Sequence, residues 1–309
     1  MNACIHVIKP GQLSLIHDFG RFGLSHLGIS QSGPVDDYAY SWANHLLGNP
    51  VNAPTLEITL GQAEFEIQHP CQLALTGGDL AATLDGEPLT NWCTFRAQKG
   101  QRLKFALPRN GLRAYFAVRG GFFVEQHLGS VSTVKKETLG GLHRDGRALL
   151  AGDALYFDSH PLDNKPLQMT FRLKPDYNLP LRLRVIEGYQ NDWFDKESLH
   201  TFFTRTYTVS QHADRMGYRL TGPEVPPPTE PILSEGIALG AIQIPPDGQP
   251  IVLLNDRQTL GGYPKIGCVA KIDLPRLAQA KPGQSVRFVK GDLEGLQDVW
   301  CQWARFFGY

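Results

Sequence analysis

The densest concentration of reactive side chains is the run Asn255-Asp256-Arg257-Gln258-Thr259-Leu260-Gly261-Gly262-Tyr263-Pro264-Lys265. It follows an apolar stretch, Ile251 to Leu254, that reads as a buried strand. A strand ending in Asn, Asp, Arg and Gln delivers donors and acceptors to a sheet edge, and Gly261-Gly262 lets a ligand approach the backbone. In that reading Lys265 neutralises a carboxylate or phosphate. The alternative is a polar turn whose side chains satisfy its own backbone groups.

Two further clusters can hold an anion. Ser130, Ser132 and Thr133 stand beside Gly129, with Gly140-Gly141 downstream, so hydroxyl and amide donors could surround an oxyanion or phosphate; such a run also serves as a plain loop. Near the N-terminus, Arg21, Ser32 and Asp36 flank the start of an expected helix, where a carboxylate can bind. Capping by Ser32, with an ion pair from Arg21 to an aspartate, explains the same residues. Glu57 and Glu235 stand near expected strand entrances, as general bases or as hydrogen-bonded structural carboxylates. The ten histidines are scattered without metal-ligand spacing, so no metal site is expected; His127 and His143 alone lie near the Ser/Thr–Gly cluster.

Composition excludes several classes. Lys and Arg total 30 against 30 Asp and Glu, which gives no reason to expect a nucleic-acid or anionic-membrane partner. There is no GxxxxGK[ST] phosphate loop and no GxSxG. Five widely spaced cysteines without a CxxC pair indicate neither a zinc site nor a disulfide framework. No apolar run approaches membrane-spanning length, and residues 1–11 lack a signal-peptide core. These features fit a soluble protein of the reducing cytoplasm.

The 32 glycines and 22 prolines are spread along the chain and imply many turns, hence a β-rich fold. Gln72 to Leu75, Arg113 to Val118, Leu181 to Ile186 and Ile251 to Leu254 read as strands, and Asp85-Gly86 as a hairpin turn. Pro34, Asp36 and Asp37 followed by Gly48 punctuate a helix of roughly three turns, with Ala39, Trp42, Ala43, Leu46 and Leu47 on one stripe. Leu293 to Phe307 suits a second helix with Leu296, Trp300 and Trp303 on one face. Three segment pairs recur in order: Arg21-Phe22-Gly23 with Arg215-Met216-Gly217, Glu57 to Gly61 with Glu235 to Gly240, and Ala97 to Phe105 with Ala280 to Phe288. The pattern implies two similar lobes from a tandem duplication, divided near the polar stretch Lys174 to Leu181 into residues 1–173 and 174–309. Pro223 to Pro231 reads as an exposed proline-rich loop.

Many ordered motifs carry a family resemblance from about Lys9 to Phe288. They include His17-Asp18-Phe19-Gly20-Arg21-Phe22-Gly23, Ser32 to Asp36, Ala43 to Asn49, Leu128 to Thr133, Asp214 to Gly222, Leu233 to Gly236, Gly240 to Pro245 and Asp256 to Pro264. The chain resembles the family of the 5-oxoprolinase C subunit, also described as allophanate hydrolase subunit 2 or the biotin-dependent carboxyltransferase-like domain of urea carboxylase. It departs from the family pattern at Ser14, His17, Gly78 and Leu260.

The resemblance implies a mostly β fold of two tandem cyclophilin-like β-barrel lobes with a few short helices. It also implies a cytoplasmic hetero-oligomer with subunits A and B, an ATP-dependent hydrolase that opens the lactam 5-oxo-L-proline to L-glutamate with ATP and Mg. No covalent biotin is expected on this chain. Lactam opening needs an anion clamp for phosphate, a partner for the substrate carboxylate and exclusion of water. Arg257 and Lys265 suit the clamp, and Arg215 or Arg219 the carboxylate. Gln258 and Thr259 would bond to the lactam, and Asp256 would orient Arg257 or act as a base. Gln243, Gly261, Gly262, Tyr263, Ser130, Ser132, Thr133, Arg21 and Asp36 complete the expected binding residues. Carboxyl transfer onto a urea-like amide is the rival activity within the family. A regulatory binding protein of the kinase-inhibitor antagonist type is the rival of another class.

Overall fold

A computed structural model describes residues 3–163, 165–229 and 232–309. The chain divides into two compact units, one made of residues up to Arg21 with Ser32–Tyr177, the other of Phe22–Gln31 with Asn178–Tyr309. A single cut near residue 173 would leave residues 22–31 with the first half; the structure groups this short arm with the second.

The first unit contains β1 (Ala3–Pro10), β2 (Leu13–His17), α1 (Asp37–Leu47), β3 (Thr55–Thr59), β4 (Ala63–Ile67), β5 (Cys71–Asp79), β6 (Thr83–Leu84), β7 (Glu87–Pro88), β8 (Cys93–Ala97), β9 (Arg102–Lys104), β10 (Asn110–Val118) and β11 (Ala154–Phe157). They form a six-stranded sheet, β11-β1-β4-β9-β6-β7, and a five-stranded sheet, β2-β3-β10-β5-β8. One core joins both, with Ile5 and Phe65 from the first and Leu56, Leu73 and Phe116 from the second fully buried. Asp85-Gly86 joins β6 to β7, as expected of that dipeptide. Helix α1 lies on β5, where Thr76 Oγ1 donates to the Ala39 carbonyl at 2.7 Å.

The second unit contains β12 (Leu181–Glu187), α2 (Lys196–Thr204), β13 (Tyr207–Ala213), β14 (Gly217–Thr221), β15 (Glu235–Gly236), β16 (Ala241–Gln243), β17 (Ile251–Leu253), β18 (Leu260–Gly261), β19 (Lys265–Val269), α3 (Leu274–Ala278), β20 (Ser285–Lys290) and α4 (Leu293–Phe307). Seven strands close a barrel in the order β12-β19-β16-β17-β14-β13-β20, and β15 pairs with β18 in a separate two-stranded ribbon. The strands alternate, so Leu183, Val185, Ile242, Val252 and Phe288 fill the interior. Phe202 of α2 stacks on Phe288 with ring centroids 4.3 Å apart. Helix α4 coincides with the expected span; Asp292 caps it by accepting from Gly295 N at 2.8 Å, and Lys271 Nζ sits 3.7 Å above the Trp300 ring. The stretch 223–229 is irregular, and Pro231 of the expected proline loop lies outside the described residues. Among the described residues no helix is long and apolar enough to cross a membrane.

Candidate functional site

The residues expected to bind an anion in the first unit have other work. The Asp18 carboxylate is buried and accepts from Ser132 Oγ at 2.7 Å, Val131 N at 3.0 Å, Gly20 N at 3.0 Å and the Ser130 hydroxyl. Arg21 donates to the carbonyls of His127, Ser130 and Ser132 at 3.0, 3.2 and 2.6 Å. Thr133 Oγ1 donates to Ile16 O at 2.9 Å. The expected oxyanion cluster is thus a staple joining the 127–133 loop to the end of β2, with the Ser130 and Ser132 hydroxyls turned onto the Asp18 carboxylate and that of Thr133 onto a carbonyl. Gly140 belongs to the same packing: at φ +66°, a Cβ there would lie 2.1 Å from Ser132 O and 2.4 Å from Arg21 Nη2. Asp18→Asn should cost about 1–3 kcal/mol, since one carboxylate oxygen becomes a donor facing donors; urea denaturation checks it.

Asp36, not Ser32, caps α1. Its Oδ1 accepts from Ala39 N at 2.8 Å and its Oδ2 from Tyr177 Oη at 2.9 Å, while Ser32 Oγ donates to Thr133 O. The cap leaves Asp36 buried and unsuited to contacting a substrate. Behind it, fully buried Glu57 accepts from Tyr115 Oη at 2.6 Å and from Val35 N at 3.2 Å, with Arg113 Nε at 3.7 Å. Burial first, then the charges of Glu57 and Asp36, push the Tyr115 phenol well above its ordinary value. Of the two readings of Glu57, the structural carboxylate fits this setting.

In the second unit the expected substrate-binding arginines are paired. Arg215 and Asp256 form a buried two-pronged ion pair, Nε–Oδ2 2.8 Å and Nη2–Oδ1 3.0 Å. Asp256 therefore holds Arg215 rather than Arg257, and neither is presented to a ligand. Arg219 pairs with Asp247 at the surface. Arg257 donates to the carbonyls of Ile237 at 3.0 Å and Leu254 at 3.3 Å, and burial lowers its pKa. Its own carbonyl accepts from Ser30 Oγ of the 22–31 arm at 2.9 Å.

Lys265 does reach an open pocket. It closes a 2.5 Å ion pair with Glu235, which also accepts from Gln190 Nε2 at 2.7 Å and from the Tyr189 hydroxyl. Gln190 Oε1 in turn accepts from Lys265 N at 2.7 Å. The pocket holds about 240 Å³ and is lined by these four residues with Gly188, Gly236, Ala238, Ala241, Gly267 and Cys268. Half of its lining residues are glycine or alanine, which leaves the space open, and Tyr189, Gln190, Glu235 and Lys265 are bonded to one another in its wall. The bond from Lys265, then that from Tyr189, hold the Glu235 carboxyl below its usual range; the same bond to Glu235 raises the Tyr189 phenol. Burial pushes the Cys268 thiol up to about 11, with Arg257 opposing, so it is a neutral wall group.

Around this pocket, Tyr263 is half exposed and places its carbonyl 3.5 Å from Lys265 Nζ. Gly261 pairs with Glu235 across the ribbon, and Gly262 passes Ser234. Gln258 Nε2 donates to Gln243 Oε1 at 3.4 Å, and Thr259 supplies its carbonyl to Ile237 N. Sequence alone sets Glu235 beside Glu57 as an equal and passes over Tyr189, Gln190 and Cys268. Gly188-Tyr189-Gln190 follows the end of β12, the same strand-end signal that singles out Asn255.

A family model described as "Carboxyltransferase domain, subdomain A and B" matches residues 27–290. The C subunit of the 5-oxoprolinase of Escherichia coli is 39% identical over 94% of this chain and 92% of its own. The crystal structure of TTHA0988 superposes with a TM-score of 0.84 at 35% identity, over 94% of this chain and 56% of that one, so this chain spans little more than half of it. The urea carboxylase of Kluyveromyces lactis gives a TM-score of 0.89 at 26% identity over 99% of this chain, which corresponds to 29% of that chain.

Proposed function

Because the chain belongs to the carboxyltransferase-domain family of subdomains A and B, we propose that it is one subunit of a cytoplasmic 5-oxoprolinase that opens 5-oxo-L-proline to L-glutamate with ATP. The observation that carries this reading is the Glu235–Lys265 pair, in a pocket sized for a small ring and floored by glycine and alanine. An ionised Glu235 accepts the lactam N–H, and Lys265 turns to the substrate carboxylate. Tyr189 and Gln190 keep the acid placed. Activation of the ring oxygen by a phosphoryl group makes the ring carbon electrophilic. Water then adds to that carbon, the C–N bond breaks and the nitrogen takes up a proton, which leaves glutamyl phosphate; a second water releases phosphate and gives L-glutamate.

The expected anion clamp for ATP with Mg fits this chain poorly, since Lys265 is engaged by Glu235 and Arg257 by two carbonyls. We therefore assign the nucleotide to the partners, subunits A and B, and the amide to this chain. Co-expression of all three with 5-oxo-L-proline and MgATP should give L-glutamate and ADP in equal amounts, and omission of this chain should abolish both. The likeness to the urea carboxylase favours carboxyl transfer as a second reading. Urea-dependent ADP release with added bicarbonate and biotin carrier, without glutamate from 5-oxoproline, would establish it in place of the first.

A further inference from the structure

Beside the pocket lies a polar group that the bonding pattern leaves unused. In β16, Ile242 points into the barrel core, so Ala241 and Gln243 share the opposite face, where Ala241 forms part of the pocket wall. Gln243 is 1% exposed. Its Oε1 accepts from Gln258, but among the described residues its Nε2 has no acceptor. A sealed amide donor without a partner is a standing penalty that a fold rarely keeps without use.

The ribbon of β15 and β18 covers it. Gly261 rests so close that a Cβ there would lie 2.8 Å from Gln243 Nε2 and 2.6 Å from Ile237 Cδ1, so a larger residue would have to displace both side-chain ends. The ribbon is joined by two residue pairs, Glu235 with Gly261 and Gly236 with Leu260. Leu260 turns outward and is 61% exposed. The cover is otherwise held by the polar ties of Glu235 and by a small apolar cluster of Ile237, Ala241 and Leu253. Across the barrel seam, Lys265 stands opposite Gln243 in register. Gln243 thus sits next to the ion pair that a ligand would open.

We propose that Gln243 is a specificity-determining residue of this pocket: with the ribbon raised, its Nε2 donates to the carbonyl oxygen of an amide or lactam whose N–H meets Glu235. The assignment rests on the amide-binding reading above and adds the group that recognises the carbonyl.

The test titrates the assembled complex, wild type and Gln243→Met, with 5-oxo-L-proline, 2-pyrrolidinone, urea and L-proline, which lacks the ring carbonyl. Methionine keeps the length of the side chain and removes both polar ends. Affinity for both lactams should fall at least tenfold, affinity for L-proline should stay as it was, and the melting temperature should hold or rise as the orphan donor disappears. Unchanged lactam affinity in the folded variant overturns the assignment. Should the variant fail to fold, the side-chain amide resonance of Gln243 in the wild type decides: 2-pyrrolidinone should move it downfield, and an unmoved resonance sinks the idea. If the wild type binds urea but neither lactam, the 5-oxoprolinase reading falls alone, and loss of urea affinity in Gln243→Met then supports the carbonyl assignment. Binding of no probe overturns both.

Discussion

Replacing Glu235 by glutamine is expected to lower turnover of the reconstituted complex by about 10²–10⁴-fold, the range for losing a positioned acid or base. The fold should hardly notice. Glu235 keeps about a third of its side chain exposed, and ion pairs so placed contribute little to stability. What glutamine removes is the negative charge that faces Lys265 and Tyr189, while the shape stays. The pH dependence follows from the same geometry. Glu235 has its carboxyl held below the ordinary value, so the ionised form and its small stabilisation are present above that value. They are lost only as pH falls through the depressed one. The acid limb of kcat/KM should therefore lie below the usual carboxylate range, and the Glu235→Gln variant should lack it. Wild-type turnover in a folded Glu235→Gln protein would move the chemistry out of this pocket.

The second large effect is on stability. Asp256→Ala is expected to cost about 3–5 kcal/mol, because the buried Arg215 guanidinium loses its counter-charge and both bonds to Asp256. Against a total of about 5–15 kcal/mol for a folded domain, that loss is large. The double replacement of Arg215 by Met and Asp256 by Leu should recover most of it, since no uncompensated charge remains. Guanidinium unfolding of the three proteins measures both. Equal instability of single and double variants would mean that the pair does more than neutralise itself.

The β-rich character, the helices 37–47 and 293–307 and the hairpin at Asp85 are legible in the sequence because each rests on local signals: period, capping residues and turn dipeptides. The strand ending in Asn255 is equally legible. What the sequence does not carry is who meets whom. Asp256 precedes Arg257 in the chain, but a side chain at the end of a strand is aimed by the sheet, and the sheet aims Asp256 at Arg215. Ser130 and Ser132 look like donors awaiting an anion until Asp18, more than a hundred residues earlier, is seen to be that anion. Glu57 and Glu235 open two segments that resemble one another in sequence, yet one is walled in by Tyr115 and Val35 and the other opens on a pocket. Lys265 stands out from its place after Gly261-Gly262, while Tyr189 and Gln190, which complete its pocket, stand some 75 residues away.

The arm of residues 22–31 has a consequence for the order of events during synthesis. Ser30 leaves the ribosome early, and the Arg257 carbonyl it will bond is made 227 residues later. At the usual pace of elongation the arm waits on the order of ten seconds or more for its seat. The barrel it joins thus closes around a segment already translated, with a loop-closure cost that local contacts cannot offset. A gene split after Tyr177 would separate the arm from its seat, so the C-terminal product should mature only when the N-terminal one is supplied in trans.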